Sequence, residues 1–226
     1  FAGLWTDSRY FLQAAEQLKG TGIELCKLGL PETLDYPEWL KENLANNSVV
    51  GFDGKVVTVN LAKNLQKQFE LKKIKINSDF DFINDIWTMR PAVTMNEIFE
   101  HKIEYAGKSR IEKLNEIRTK MSKLGADYHI LATLDDINWL FNIRGRDVAF
   151  NPVAVCYAII SQESAELFIY NTKIPSELKS QLHNDEIQLY DYDAIAERIS
   201  KIENNKNILV DINKINLWLY NSIPTN

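Results

Sequence analysis

The sequence predicts an α/β protein with two domains, and three observations support this prediction. Short apolar strands alternate with amphipathic helices, a pattern typical of a mostly parallel sheet flanked by helices. A polar stretch without sustained apolar periodicity, residues 91–106, interrupts the alternation, which then begins again. The chain has 226 residues, 45% apolar and 25% charged, so it is long enough for two domains with real cores. We therefore predict domains at residues 1–90 and 91–226.

The first domain opens with a strand, a tight turn and a helix. Leu4 and Trp5 are strand-like, and the three residues that follow can each cap a helix: Thr6, Asp7 and Ser8. Apolar residues at helical spacing then predict the helix: Phe11, Ala14, Ala15 and Leu18. Arg9 lies in its first turn, where the helix dipole disfavours a cation. Local stability does not explain Arg9, but a surface arginine with its charge in water is the simpler interpretation from the residues alone.

The remaining elements of the first domain follow from the same two periodicities. The clearest is a helix over residues 59–69, in which Leu61, Leu65 and Phe69 recur at a spacing of four. The other predicted elements are strands at 23–28, 49–53 and 74–76, a helix at 38–44 and a helical turn at 81–87.

The second domain begins with its most strongly marked helix. Ser109 and Glu112 form a capping box, and an apolar stripe predicts a helix over residues 109–124. We expect Asp135 and Asp136 to cap a short helix that ends at Phe141. The other predicted elements are strands at 128–134, 153–160, 167–170, 187–190 and 208–210, and helices at 175–182, 193–202 and 213–221.

Charge and cysteine content exclude several classes of protein. With 26 basic and 31 acidic residues the net charge is 26 − 31 = −5, which argues against a nucleic-acid partner. No apolar run approaches 18 residues, so we predict no membrane span, and no signal peptide is recognisable. Cys26 and Cys156 are too few for a disulfide framework, and both are predicted to be buried, reduced thiols in apolar strands. Cytoplasm is the default location.

The residues themselves predict no catalytic centre. None of the three histidines (His101, His129 and His183) has a partner at metal-binding spacing. A nucleophile elbow and the glycine-rich phosphate-binding loops are also missing from the sequence. Helix capping explains the two pairs of aspartates that could otherwise be taken for general acids and bases: Asp135 with Asp136, and Asp191 with Asp193.

The segment Arg144–Pro152 is the densest cluster that the element pattern leaves unexplained. Arg144, Arg146 and Asp147 surround a glycine and could bind a carboxylate or phosphate through fork-shaped hydrogen bonds. A loop held by its own Arg–Asp pairs, or one that docks onto another domain, is the interpretation we favour from the residues alone.

Several motifs in register resemble the non-catalytic amino-terminal half of three-domain aminopeptidase P, a member of the creatinase/prolidase ("pita-bread") metallopeptidases. Residues 4–15 (Leu-Trp-Thr-Asp-Ser-Arg-Tyr-Phe-Leu-Gln-Ala-Ala) are similar to the family's Trp-Thr-Asp-Gly-Arg-Tyr-Phe-Leu-Gln-Ala stretch. Residues 85–91 are similar to its interdomain Ile-Trp-x-x-Arg-Pro, and residues 105–114 to the opening helix of its second domain. Residues 134–160 resemble its most characteristic stretch. The match covers essentially the whole chain.

The resemblance implies a fold and an activity for the longer protein. The fold is two creatinase-like α/β domains, each a mixed, mostly parallel six-stranded sheet flanked by helices. The activity is release of the N-terminal residue from peptides with proline at the second position. In the reaction that the resemblance implies, two manganese ions activate a bridging water and polarise the scissile carbonyl. The metal ligands and catalytic histidines belong to a third domain that would begin after Asn226, so this segment is expected to bind no metal and to be inactive alone. A homodimer is expected for the full-length protein, largely through that domain.

One functional residue carries over by position. The arginine of the family's first motif contacts the peptide substrate, and Arg9 occupies that position here, with Ser8 in place of the family's glycine. The segment Arg144–Pro152 is expected to line the rim of the substrate entrance. The chain lacks an initiator methionine and stops soon after a helix-like segment, so we expect both ends to be cut from a longer protein. Two alternatives remain: a pita-bread relative without metal ligands that binds proteins, such as histones, and another hydrolase of the group. The presence of two amino-terminal domains argues against another hydrolase, since creatinase and prolidase carry only one such domain.

Overall fold

The computed structural model of the chain describes residues 1–224. The last two residues of the second predicted domain lie outside the described residues. Two compact units are distinguished by their contacts: Phe1–Gly51 with Lys63–Asn77, and Phe52–Ala62 with Ser78–Asn226. The domain boundary between residues 90 and 91 stays a prediction.

The first unit contains four short strands in two parallel pairs. Its strands are β1 (Gly3–Thr6), β2 (Glu24–Lys27), β3 (Val49–Gly51) and β4 (Lys75–Asn77), with β1 paired to β2 and β3 to β4. Its helices are α1 (Phe11–Gln17), α2 (Tyr36–Asn43) and the larger part of α3 (Val59–Phe69). The bounds of α3 are those predicted, and Leu65 and Phe69 of its predicted apolar stripe are buried.

The second unit is built on a mixed five-stranded sheet. The strands of the second unit are β5 (Phe99–Glu100), β6 (Tyr128–Leu131), β7 (Ile143–Arg144), β8 (Tyr157–Ser161), β9 (Ala165–Phe168), β10 (Ile187–Tyr190) and β11 (Ile208–Leu209). The sheet order is β10-β9-β8-β6-β11, in which β8 is antiparallel to both neighbours and the two outer pairs are parallel. Strands β5 and β7 form a separate antiparallel pair. The predicted mixed α/β class is confirmed, with five strands in the sheet of described residues rather than the six implied by the resemblance.

Helices cover both faces of this sheet. The helices of the second unit are α4 (Ile103–Ala106), α5 (Arg110–Lys123), α6 (Leu134–Leu140), α7 (Ser176–Asn184), α8 (Ile195–Ser200) and α9 (Leu217–Asn221), of which α5 to α9 contribute to the buried clusters. Because successive strand residues point to opposite faces, Ala158 and Ile160 join one buried cluster and Ile159 joins the other. The first cluster includes Leu114 of α5, and the second includes Ile195 of α8. No helix in residues 1–224 is long and apolar enough to cross a membrane.

Three sequence predictions are wrong in detail, two of them because side chains form hydrogen bonds with backbone groups. Residues 153–156 do not join the predicted strand, since the Ala154 N–H donates to Asn138 Oδ1 (2.9 Å) and the Val155 N–H to Asp147 Oδ2 (2.7 Å). The last helix begins at Leu217 instead of Asn213, with Asn216 as its cap.

The third concerns the aspartates of α6. Thr133 precedes the helix as its N-cap residue, while Asp135 and Asp136 lie inside the first turn. There the carboxylates complement the helix dipole, and Asp136 also pairs with Lys214 at 2.9 Å.

The two cysteines are free, and neither fits the prediction completely. Cys156 is buried, but it precedes β8 instead of lying within it; Cys26 lies in β2 and is only half-buried. Burial raises the pKa of the Cys156 thiol to about 12.

Candidate functional site

Arg9 lies in a short 3₁₀ turn, Ser8–Tyr10, that joins β1 to α1. The sequence predicted Arg9 in the first turn of the α-helix, whereas in the structure it lies in the 3₁₀ turn that precedes the regular helix. Asp7 caps the 3₁₀ turn, and its Oδ1 accepts the backbone N–H of Arg9 at 3.0 Å. Ser8 has no positive φ, so this turn does not need the glycine that stands here in the family motif.

The Arg9 guanidinium folds back onto Asp7 as a two-pronged ion pair. Nε donates to Oδ1 at 2.9 Å, and Nη2 donates to Oδ2 at 2.8 Å. This answers the question that the sequence left open, because the cation is balanced by a carboxylate two residues away. The side-chain hydrogen bond from Arg9 is the main reason that the pKa of Asp7 is lowered to about 2.

Arg9 nevertheless remains available to a ligand. Its side chain is 77% exposed, and a guanidinium carries five N–H donors, of which Asp7 engages two. The Tyr10 ring lies beside it, with Cζ 5.7 Å from the ring centroid. Two N–H groups on Nη1 and one on Nη2 can therefore donate to an oxygen acceptor.

An aromatic cluster fixes the strand that leads into this turn. Trp5 of β1 donates Nε1–H to the Leu34 carbonyl at 2.9 Å, and its ring meets Trp39 of α2 edge-on at 5.8 Å. Phe1 stacks on the same Trp39 ring, with the two ring centroids 4.2 Å apart. Aromatic pairs of this geometry stabilise the fold by more than the burial of their apolar surface alone would contribute. The strand that leads to Asp7 and Arg9 is thus held in place by a hydrogen bond and ring contacts within the same unit.

The segment Arg144–Pro152 is anchored in the second unit by Asp147. The Asp147 side chain is 1% exposed and forms an ion pair with Lys173, which is fully buried. Lys173 Nζ donates to Asp147 Oδ2, which also accepts the Val155 N–H. The other oxygen, Oδ1, accepts a hydrogen bond from Thr94 Oγ1 at 3.0 Å. The favoured interpretation of a loop held by its own Arg–Asp pairs is therefore wrong in its partner: the cation is a lysine 26 residues away.

Arg144 has a different role from the one its charge indicated. Its Nη1 donates to the carbonyls of Asn138 (3.1 Å) and Ile143 (2.8 Å), at the end of α6. Lys113 and Arg110 donate to the neighbouring carbonyls of Trp139 (2.8 Å) and Phe141 (2.7 Å). These cations cover a helix C-terminus, where carbonyls lack partners and positive charge is favoured. The Nη1 donors of Arg144 are thus occupied by backbone carbonyls.

The tip of the same loop is exposed and locally strained. Phe150 has φ +63° and a fully exposed ring, while Arg146 lies on the surface nearby. At the loop base the backbone is closely packed, since a Cβ on Gly145 would lie 2.9 Å from the Ala154 backbone. The exposed Phe150 ring is a surface feature that the sequence pattern did not single out.

The described residues offer no metal centre. No group of three or more His, Cys, Asp or Glu side chains in residues 1–224 is arranged to hold a metal ion. His129 Nδ1 lies 3.1 Å from the Leu209 carbonyl in the sheet, His183 is exposed, and His101 is half-buried. Burial, followed by the charges of Arg144 and Lys113, lowers the pKa of His101.

Sequence reasoning missed two side chains that organise these sites. Asp7 was noted only as a possible cap, although an aspartate two residues before Arg9 was a visible signal. Lys173 gave no signal, because its pairing with Asp147 depends on the tertiary fold.

Comparison with known proteins places both parts of the chain in one family. Residues 2–84 and residues 89–226 each match a model described as the Creatinase/Prolidase N-terminal domain. A probable Xaa-Pro aminopeptidase P of Ajellomyces capsulatus (strain G186AR) is 38% identical over 200 residues, which are 87% of this chain and 32% of the relative. Aminopeptidase P1 of Arabidopsis thaliana is 32% identical over 206 residues, 91% of this chain and 32% of that protein.

A solved structure agrees in fold. The X-prolyl aminopeptidase of Caenorhabditis elegans, described as a cytosolic enzyme with a di-nuclear active site, superposes with a TM-score of 0.84 at 29% identity. The match covers 88% of this chain and 32% of that structure. The chain therefore spans about a third of the length of these relatives. With a family model matching residues 89–226 and another matching residues 2–84, the chain belongs to the creatinase/prolidase N-terminal domain family.

Proposed function

We propose that this chain is the amino-terminal, non-catalytic part of an Xaa-Pro aminopeptidase, and that Arg9 contacts the peptide substrate. The observation that carries the proposal is the match, over most of the chain, to proteins named Xaa-Pro aminopeptidase or aminopeptidase P. Arg9 adds support because it is exposed, is oriented by its two hydrogen bonds to Asp7 and still has free N–H donors.

The chemistry of bond cleavage is assigned to a domain that follows this chain. We propose that two Mn²⁺ ions are bound there, in line with the di-nuclear active site described for the X-prolyl aminopeptidase of Caenorhabditis elegans. The role of this chain is then to bind and orient a peptide whose second residue is proline. A cytoplasmic location and a homodimer of the full-length protein are parts of the same proposal.

Turnover by the intact protein and by this chain tests the proposal. Both are incubated with Arg-Pro-Pro and Mn²⁺, and release of the N-terminal arginine is followed by mass spectrometry. We expect release by the intact protein, none by the 226-residue chain, and none from Arg-Ala-Pro. Turnover by the chain alone, or equal cleavage of both peptides by the intact protein, contradicts the proposal.

A protein-binding module is the second candidate, favoured by exposed apolar side chains. Ile86 and Met89 are 78% and 87% exposed, and exposed apolar residues that cluster along a segment often mark an interaction surface. In this case the downstream sequence would lack the metal ligands, and the intact protein would bind a protein partner without hydrolysing Xaa-Pro peptides.

A further inference from the structure

The Asp7–Arg9 ion pair carries an inference about what Arg9 recognises. We propose that Asp7 is a positioning residue, which holds Arg9 so that its outer edge binds a backbone carbonyl of the peptide in preference to a carboxylate. The inference rests on the proposed function, because it takes Arg9 to be a peptide contact.

The geometry determines which part of the guanidinium faces a ligand. Asp7 engages one side of the planar group, with Nε at 2.9 Å from Oδ1 and Nη2 at 2.8 Å from Oδ2. The donors left are at the far end, two on Nη1 and one on Nη2. Because the fork is rigid, fixing one edge also fixes the direction of the other. The Arg9 ligand must therefore approach the end of the side chain rather than its flank.

The charge of the pair determines which oxygen suits that end. The Asp7 carboxylate is ionised at neutral pH, since its pKa is lowered to about 2, so the pair has no net formal charge. A peptide carboxylate bound to Nη1 would be repelled by the Asp7 carboxylate on the opposite side of the same guanidinium. A carbonyl oxygen accepts the same hydrogen bonds without that repulsion. The pair therefore acts as a hydrogen-bond donor for an uncharged acceptor.

Helix capping alone does not account for this arrangement. Asp35 caps α2 in the same unit by accepting the Glu38 N–H at 2.8 Å, through a single oxygen and without an arginine. Asp7 caps its turn with Oδ1 and still commits Oδ2 to Arg9. Oδ2 thus takes no part in the cap and instead accepts a hydrogen bond from the guanidinium.

The test compares a peptide acid with its amide in the intact protein. We measure kcat/KM for Arg-Pro-Pro and for Arg-Pro-Pro amide, and form the acid-to-amide ratio. Asp7→Asn keeps an acceptor for the Arg9 N–H but removes the negative charge, so the ratio is expected to rise about five- to tenfold. Asp35→Asn, the matched control, leaves the ratio unchanged. In an Arg9→Ala background, Asp7→Asn no longer changes the ratio, because Asp7 acts through Arg9.

A second measurement tests the ion pair without turnover. In the 226-residue chain, solvent exchange of the Arg9 Nε–H, followed by NMR, is expected to be slower than in the Asp7→Asn variant. Equal exchange rates, an unchanged acid-to-amide ratio in Asp7→Asn, or a change that persists without Arg9 would each overturn the inference. If the wild-type intact protein cleaves neither peptide, the proposed function itself fails, and the assignment to a peptide carbonyl fails with it.

Discussion

Lys173→Met is expected to destabilise the second unit strongly, because it breaks a buried ion pair from one side. Lys173 is fully buried and the Asp147 side chain is 1% exposed. Methionine has a similar length but no charge, so the substitution leaves the carboxylate buried without a cation. Thr94 and Val155 still donate hydrogen bonds to Asp147, at 3.0 and 2.7 Å.

The size of the effect follows from these contacts. Removing one partner of a buried pair costs roughly 3–5 kcal/mol, and the two remaining hydrogen bonds favour the lower end of that range. For a protein of this size, about 3 kcal/mol lowers the melting temperature by roughly 6–12 °C. The double variant Asp147→Asn/Lys173→Met should recover most of the loss, since a neutral amide at 147 no longer needs a cation.

Thermal and urea unfolding of the 226-residue chain, followed by circular dichroism, measures this effect. Lys201→Met is the matched control, because its pair with Glu197 is exposed on both sides and should contribute at most about 0.5 kcal/mol. The reasoning is refuted if Lys173→Met unfolds within about 1 kcal/mol of Lys201→Met, or if the double variant is less stable than the single one.

Three further predictions concern local features. Gly145→Ala should destabilise the chain by about 1–3 kcal/mol, since the new Cβ would lie 2.9 Å from the Ala154 backbone; an unchanged urea midpoint would contradict this. The Asp7 carboxylate should titrate by NMR near pH 2, so its stabilising contribution is present above the unfolded pKa of about 3.9 and is lost as the pH falls through 2; a midpoint near 3.9 would show that no ion pair forms. Cys156, whose pKa is raised to about 12 by burial, should react with a thiol reagent at pH 8 only after unfolding, whereas half-buried Cys26 reacts first; two equally fast thiols would contradict the placement of Cys156.

Elements with a long, regular apolar period were predictable from the sequence. α3 has the predicted bounds, and the Ser109–Glu112 capping box that begins α5 is present in the structure. Their signals are local: the spacing of apolar residues and a cap within one turn. Such elements do not depend on which distant residues pack against them.

Elements whose backbone groups are taken by distant side chains were not predictable. Residues 153–156 are apolar enough for a strand, but Asn138 and Asp147 accept the N–H groups that a sheet would use. The same limit applies to the candidate sites. The Asp7–Arg9 pair spans two residues and could have been anticipated, whereas Asp147 and Lys173 are 26 residues apart and meet only in the folded chain.

The most direct test of the central claim is the effect of Arg9→Ala on Xaa-Pro cleavage by the intact protein. A hydrogen bond to a charged group contributes roughly 1.5–3 kcal/mol, so kcat/KM for Arg-Pro-Pro should fall by about 10- to 150-fold. Lys67→Ala, which removes an exposed cation from α3, should leave kcat/KM within about twofold of the wild type, as is usual for surface changes. An Arg9→Ala variant with the same kcat/KM as the wild type would contradict the claim that this chain contributes Arg9 to the peptide site.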